Sequence, residues 1–112
     1  MPDPAHHAPA CDAALVRAFS FLGKRWSGVV IGSLVDGPAG FAQLTRSVQG
    51  ISESVLSDRL HELTAAGLIS RTVSEGPPVS VTYQLTDAGR ALIPALDALA
   101  TWASQNLPAT DG

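Results

Sequence analysis

A chain of 112 residues with a formal net charge of −3 is long enough for one domain with a single core and too short for a second. Its one cysteine excludes an intrachain disulfide and fits a reducing compartment. No apolar run approaches the roughly 20 residues that span a bilayer, and Met1 to Ala10 has neither a basic start nor an apolar stretch for export, so a soluble cytoplasmic protein without membrane association is expected.

Residues 1–10, with their prolines and paired histidines, read as a mobile tail, residues 11–107 as the domain, and residues 108–112 as a second tail. Ala13 to Leu22 is a compact amphipathic helix carrying Leu15, Ala18, Phe19 and Leu22. Lys24 to Leu34 is more apolar, with Trp26, Val29, Val30, Ile31 and Leu34, which predicts a helix buried at the centre, stopped by Asp36-Gly37-Pro38. Phe41 to Val48 forms the next helix, with Phe41, Leu44 and Val48 on one side, and Gln49-Gly50 closes it because glycine tolerates a positive φ. Ser52 then caps a helix reaching Ala66, with Val55, Leu56, Leu60 and Leu63 on its apolar face and Glu53, Ser54, Ser57, Asp58 and His61 outward. Gly67 ends that helix and Leu68 packs back.

Ile69 to Val73 and Val79 to Leu85 are rich in β-branched residues and are separated by the turn Glu75-Gly76-Pro77-Pro78, which predicts a hairpin. Thr86 caps a last helix running to about Asn106, in which Pro94 predicts a kink or break. The fold class is therefore mainly α with a small β-hairpin, in the order α-α-α-α-β-β-α. Two short helices joined by a tight turn and followed at once by a hairpin make a winged helix-turn-helix.

That outline offers one helix for the DNA major groove and a hairpin for a neighbouring groove or the phosphate backbone. Charge argues the other way, since phosphate neutralisation carries much of DNA affinity and this chain is acidic. A local patch can still be basic. Arg46, Arg59, Arg71 and Arg90 lie in or beside the helix-turn-helix and wing, while Glu53, Asp58 and Glu62 dilute the second helix, so modest, salt-sensitive affinity is expected. The terminal helices carry more apolar surface than so small a domain can shelter, and Phe19, Phe21, Leu96, Leu99 and Trp102 are enough to build a two-fold dimer interface.

LGKRW at Leu22 to Trp26, DGPAGFAQL at Asp36 to Leu44, ISESVLSDRLHELTAAGLISR at Ile51 to Arg71 and VTYQLTDAG at Val81 to Gly89 closely resemble the HxlR family of bacterial, MarR-like winged-helix regulators. The resemblance covers about Cys11 to Trp102. It implies a homodimeric transcriptional regulator on double-stranded DNA, each subunit placing its recognition helix in one half of a pseudo-palindromic operator. Ser52, Ser54, Ser57 and Arg59 match the recognition-helix positions. Serine hydroxyls can bond phosphates or base edges, and an arginine can hold guanine bidentately or pin a phosphate. Helical phase puts Arg59 beside Val55 and Leu63, which leaves open a second role as a partly buried arginine that orients the helix. His61 is better exposed, and Gln43, Thr45 and Arg46 on the supporting helix are candidates for backbone contact. The chain has Gly40 and Ser80 where the family commonly has basic residues, which leaves the wing Arg71, Ser74, Ser80 or backbone amides to offer DNA.

Cys11 resembles the cysteine at the start of the first helix that senses oxidants, quinones or aldehydes in several such regulators, with Cys-Asp here in place of Cys-Pro. A helix N-terminus would favour its thiolate and Asp12 would oppose it, the alternative being an inert side chain in a dimer interface. His6, His7 and Cys11 lack both rigid spacing and a fourth ligand for a metal site. No phosphate loop, HExxH, GxSxG or paired-carboxylate motif appears, so neither catalysis nor a cofactor is expected. The competing readings are a winged helix that docks proteins without a specific DNA target, and a regulator governed by a small ligand between wing and last helix with Cys11 irrelevant. Repression is the default outcome, because nothing outside the DNA-binding and dimerisation elements is available to recruit polymerase.

Overall fold

A computed structural model describes residues 13–20, 22 and 25–109. A first helix covers residues 13–20 (α1). It is followed by α2 (Ser27–Ser33), α3 (Phe41–Ser47), α4 (Glu53–Ala65), the strands β1 (Ile69–Ser74) and β2 (Ser80–Leu85), and α5 (Asp87–Asn106). The order is the one the sequence predicts. One buried cluster joins the elements: Val30, Ile31 and Leu34 of α2, Leu44 of α3, Leu56, Leu60 and Leu63 of α4, Ile69 of β1 and Leu85 of β2. The α4 members recur at spacings of four and three, so a single helical face is committed to the core and the opposite face is left to solvent.

Glycines set the turns where the backbone turns left-handed. Gly50 (φ 88°) lies between α3 and α4, and Gly67 (φ 81°) ends α4. The Trp26 ring lies close enough to Gly50 for a Cβ there to touch it at 3.6 Å, so the start of α2 braces the turn between α3 and α4. Gly67 N–H donates to the Thr64 carbonyl and Leu68 N–H to the Leu63 carbonyl, both at 3.0 Å, which satisfies the last carbonyls of the helix.

Four details differ from the sequence expectation. Helix α2 begins at Ser27 rather than Lys24, with Trp26 in the N-cap position. Val29 is 49% exposed, because α2 turns Val30, Ile31 and Leu34 to the core and Val29 away from it. Helix α5 continues through Pro94 without the break that the proline allowed. Pro94 and Arg90, whose carbonyl loses its usual donor to the proline, are both exposed residues. Finally, Ala39 forms a bridge to β2: its N–H donates to the Tyr83 carbonyl at 2.9 Å and its carbonyl accepts from Tyr83 N–H at 2.8 Å. This bridge ties the start of α3 to the base of the hairpin.

Candidate nucleic-acid interface

The outward face of α4 is polar and continuous. Ser54, Ser57, Asp58 and His61 are all exposed and follow one another at helix-face spacing. Ser52 starts the helix, its Oγ accepting from Val55 N–H at 3.2 Å and lying 3.4 Å from Ser54 Oγ. Glu53 stands in the first turn, where the helix dipole favours a carboxylate. The face offers hydroxyls, an imidazole and one acid to a base edge.

Arg59 is placed differently. It is only 7% exposed, and its guanidinium donates to both Glu62 carboxylate oxygens, at 2.8 and 2.9 Å. A bidentate pair of this geometry uses the side of the fork that would otherwise hold guanine or phosphate. The guanidinium is thus turned to Glu62, in the partly buried position that helical phase left open.

On α3, Gln43 Oε1 accepts from Gly40 N–H at 2.9 Å, and Thr45 Oγ1 donates to the Ala42 carbonyl at 2.7 Å. Both side chains therefore help shape the helix, leaving the Gln43 amide nitrogen and the acceptor side of the Thr45 hydroxyl for a ligand. Arg46 is exposed in the last turn of α3, favourably placed on the helix dipole. Gly40 serves as the α3 N-cap with extended backbone, and a Cβ there would come into contact with the Val81 carbonyl at 3.4 Å.

The hairpin register pairs Arg71 with Tyr83 and Ser74 with Ser80. Because paired residues of an antiparallel ladder share a face and neighbours alternate, Arg71 and Ser80 lie on opposite faces of the wing. Ser80 shares its face with Ser70, Thr72, Ser74, Thr82 and Gln84, a hydroxyl-rich surface that the sequence reading missed. Alternation within each strand is the sequence signal for it, and the register brings the two rows onto one face. Arg71 lies on the face of Val73, Val81 and Tyr83.

A second surface lies on the far side of the domain. Phe19, Leu22, Val29, Val35, Leu96 and Leu99 line a groove of about 520 Å³ between α1, α2 and α5. Leu15, Val16, Phe19, Leu99 and Trp102 are each about half exposed or more, an unusual density of large apolar side chains for a domain surface. Phe19, Leu96 and Leu99, expected to share an interface, converge on this groove; Trp102 lies farther along α5. The expectations for Cys11, Phe21, His6 and His7 fall outside the described residues. Among the described residues, no group of three or more His, Cys, Asp or Glu side chains could hold a metal, and no helix is long and apolar enough to cross a membrane.

Comparison with known proteins decides the family. A family profile described as HxlR-like helix-turn-helix matches residues 21–111. The chain belongs to the HxlR family. This HxlR-type chain is 42% identical to the HTH-type transcriptional regulator YodB of Bacillus subtilis over 88 residues, 79% of each protein. Its fold is similar to the reduced form of YodB, at TM-score 0.75 and 36% identity over 99% of this chain and 100% of that one. It is also similar to the quinone-bound form of YodB, at TM-score 0.72 and 38% identity over 82% and 96% of the two chains. The redox regulator HypR in its reduced form matches at TM-score 0.77 and 29% identity, over 83% and 92%. The HxlR-type chain is thus a helix-turn-helix transcriptional regulator and not an enzyme.

Proposed function

We propose that this protein is a cytoplasmic, homodimeric repressor that reads a pseudo-palindromic operator through α4 and is released from it by an oxidant or electrophile acting at Cys11. The observation that carries the reading is the exposed arc of Ser54, Ser57, Asp58 and His61, backed by a helix face wholly committed to the core. Ser52, at the start of α4, and Gln43, Thr45 and Arg46, on α3, supply contacts to the phosphate backbone. Arg71 and Ser80 supply them from either face of the wing, Ser80 within its row of hydroxyls. Arg59 contributes by holding the helix in shape through Glu62. Phe19, Leu96, Leu99 and Trp102 cover one another across the two-fold axis, which removes the exposed apolar surface of α1 and α5 from water.

The DNA reading is tested by retardation of a duplex from the intergenic region upstream of the gene. With Arg46 and Arg71 of two subunits on phosphates, the slope of log affinity against log salt should be roughly −4. The acids Glu53 and Asp58 on α4 favour the alternative of a protein-docking module, and weak, equal binding to any duplex would count against the DNA reading and favour that alternative.

The signal is supported by the neighbours: YodB is known in reduced, diamide-treated and quinone-bound forms, and HypR in reduced and oxidised forms. An electrophile would cap the Cys11 thiolate, and an oxidant would join the Cys11 thiols of two subunits. Cys11→Ser should bind operator DNA as the parent does and stay bound when diamide or a quinone is added. Release of the variant at the parent's oxidant concentration would instead direct attention to a ligand site elsewhere.

A further inference from the structure

The end of α4 and the start of α5 meet at a polar junction. Beyond the Gly67 turn, the Gly67 and Leu68 carbonyls both point at the first residues of α5, and Thr86 takes both. Its Oγ1 donates to the Gly67 carbonyl at 2.6 Å and its N–H to the Leu68 carbonyl at 3.1 Å. The same Oγ1 accepts from Gly89 N–H at 3.2 Å, closing the N-cap of α5. One hydroxyl therefore joins the N-cap of α5 to the turn that ends α4. Gly89 lets them approach this closely, since a Cβ there would run into the Leu68 carbonyl oxygen and stand 3.2 Å from Leu85 Cδ2.

Helix α4 faces the DNA, and α5 carries Leu96, Leu99 and Trp102 on the surface assigned to the subunit contact. The angle between these helices sets how far apart, and at what rotation, a dimer holds its two recognition helices. Half-site spacing in a two-fold operator is the geometric image of that separation. We infer that Thr86 is a positioning residue that fixes half-site spacing, by locking the end of the recognition helix to the start of the dimer helix. The inference rests on the dimeric operator-binding reading above. Changing the spacing by one base pair moves the half-sites by about 3.4 Å along the axis and rotates one against the other, a change a locked junction resists.

Thr86→Asp separates the two roles of the hydroxyl. An ionised carboxylate still accepts from Gly89 N–H and caps α5, but it cannot donate to Gly67. The experiment compares affinities for the operator, for operators with one base pair inserted or removed between the half-sites, and for a single half-site. Folding is followed by circular dichroism and the dimer by sedimentation. The parent should lose about tenfold or more on the altered spacings. Thr86→Asp should keep the half-site affinity and lose under about threefold on the altered spacings, while Thr86→Ser restores the parental discrimination. If Thr86→Asp does not fold, Thr86→Ala is measured in the same way. A folded, dimeric variant that keeps the parental discrimination, or that weakens all duplexes equally, overturns the inference and leaves the functional reading intact. A dimeric parent without a spacing preference overturns the inference, and a parent that shows neither a dimer nor a spacing preference overturns both.

Discussion

Gly89→Ala should destabilise the domain by about 3 kcal/mol or more, the upper end of what overpacking costs, and lower its melting temperature by roughly 12 °C or more. The reason is contact with backbone. The added methyl would meet the Leu68 carbonyl oxygen, which is held in place by the Thr86 N–H, and would press on Leu85 in the core. A flexible side chain could swing aside, but here the start of α5 must lift off the backbone between α4 and β1. Elsewhere in a helix the same change stabilises, because alanine is the better helix former by up to about 1 kcal/mol, so the sign itself is diagnostic. Gly76→Ala is the control, since nothing lies within 4 Å of its Cβ position, and it should melt with the parent. Thermal unfolding at one protein concentration checks both. A Gly89→Ala protein as stable as the parent would show that the two helices are not held at this distance.

The second large effect is an asymmetry at the Arg59–Glu62 pair. Glu62→Ala should cost about 2 kcal/mol, because it leaves a guanidinium buried without its carboxylate. Arg59→Met should cost under about 1 kcal/mol, since the apolar chain fills much of the same space and the Glu62 carboxylate, on a side chain 43% exposed, can be solvated. Denaturant titrations of the two variants give the comparison. Operator affinity provides the functional half. If Arg59 acts by orienting α4, Arg59→Met should bind within about threefold of the parent, whereas loss of an arginine that holds a base would cost about tenfold or more. A weak-binding Arg59→Met protein of normal stability would return Arg59 to the reading face.

Much of this architecture was legible because local signals agreed with one another. Leu56, Leu60 and Leu63 repeat on one helical face, Gly50 and Gly67 stand where the backbone turns left-handed, and Ser52 and Thr86 occupy the N-caps they were assigned. Other features had no local signal. The Ala39–Tyr83 bridge is a single long-range pair without periodicity, and Asp36-Gly37-Pro38 reads only as a stop. In α2, Val29, Val30 and Ile31 are equally apolar, so only packing shows that Val29 faces the groove. Gly89 resembles a weak position in a helix until Leu68 is seen against it. The Arg59–Glu62 pair could have been found, since an arginine three residues before a glutamate is a visible helix signal. For the candidate interface, the outward arc of α4 followed from helical phase, while the two unlike faces of the wing required the strand register.

Selection of bound duplexes from a random pool at near-physiological salt tests directly whether α4 reads a specific two-fold DNA site. The account predicts enrichment of one pseudo-palindrome with two similar half-sites, and binding of it about a thousandfold tighter than of a scrambled duplex. A pool that stays random after repeated rounds, with all duplexes bound equally, would contradict it.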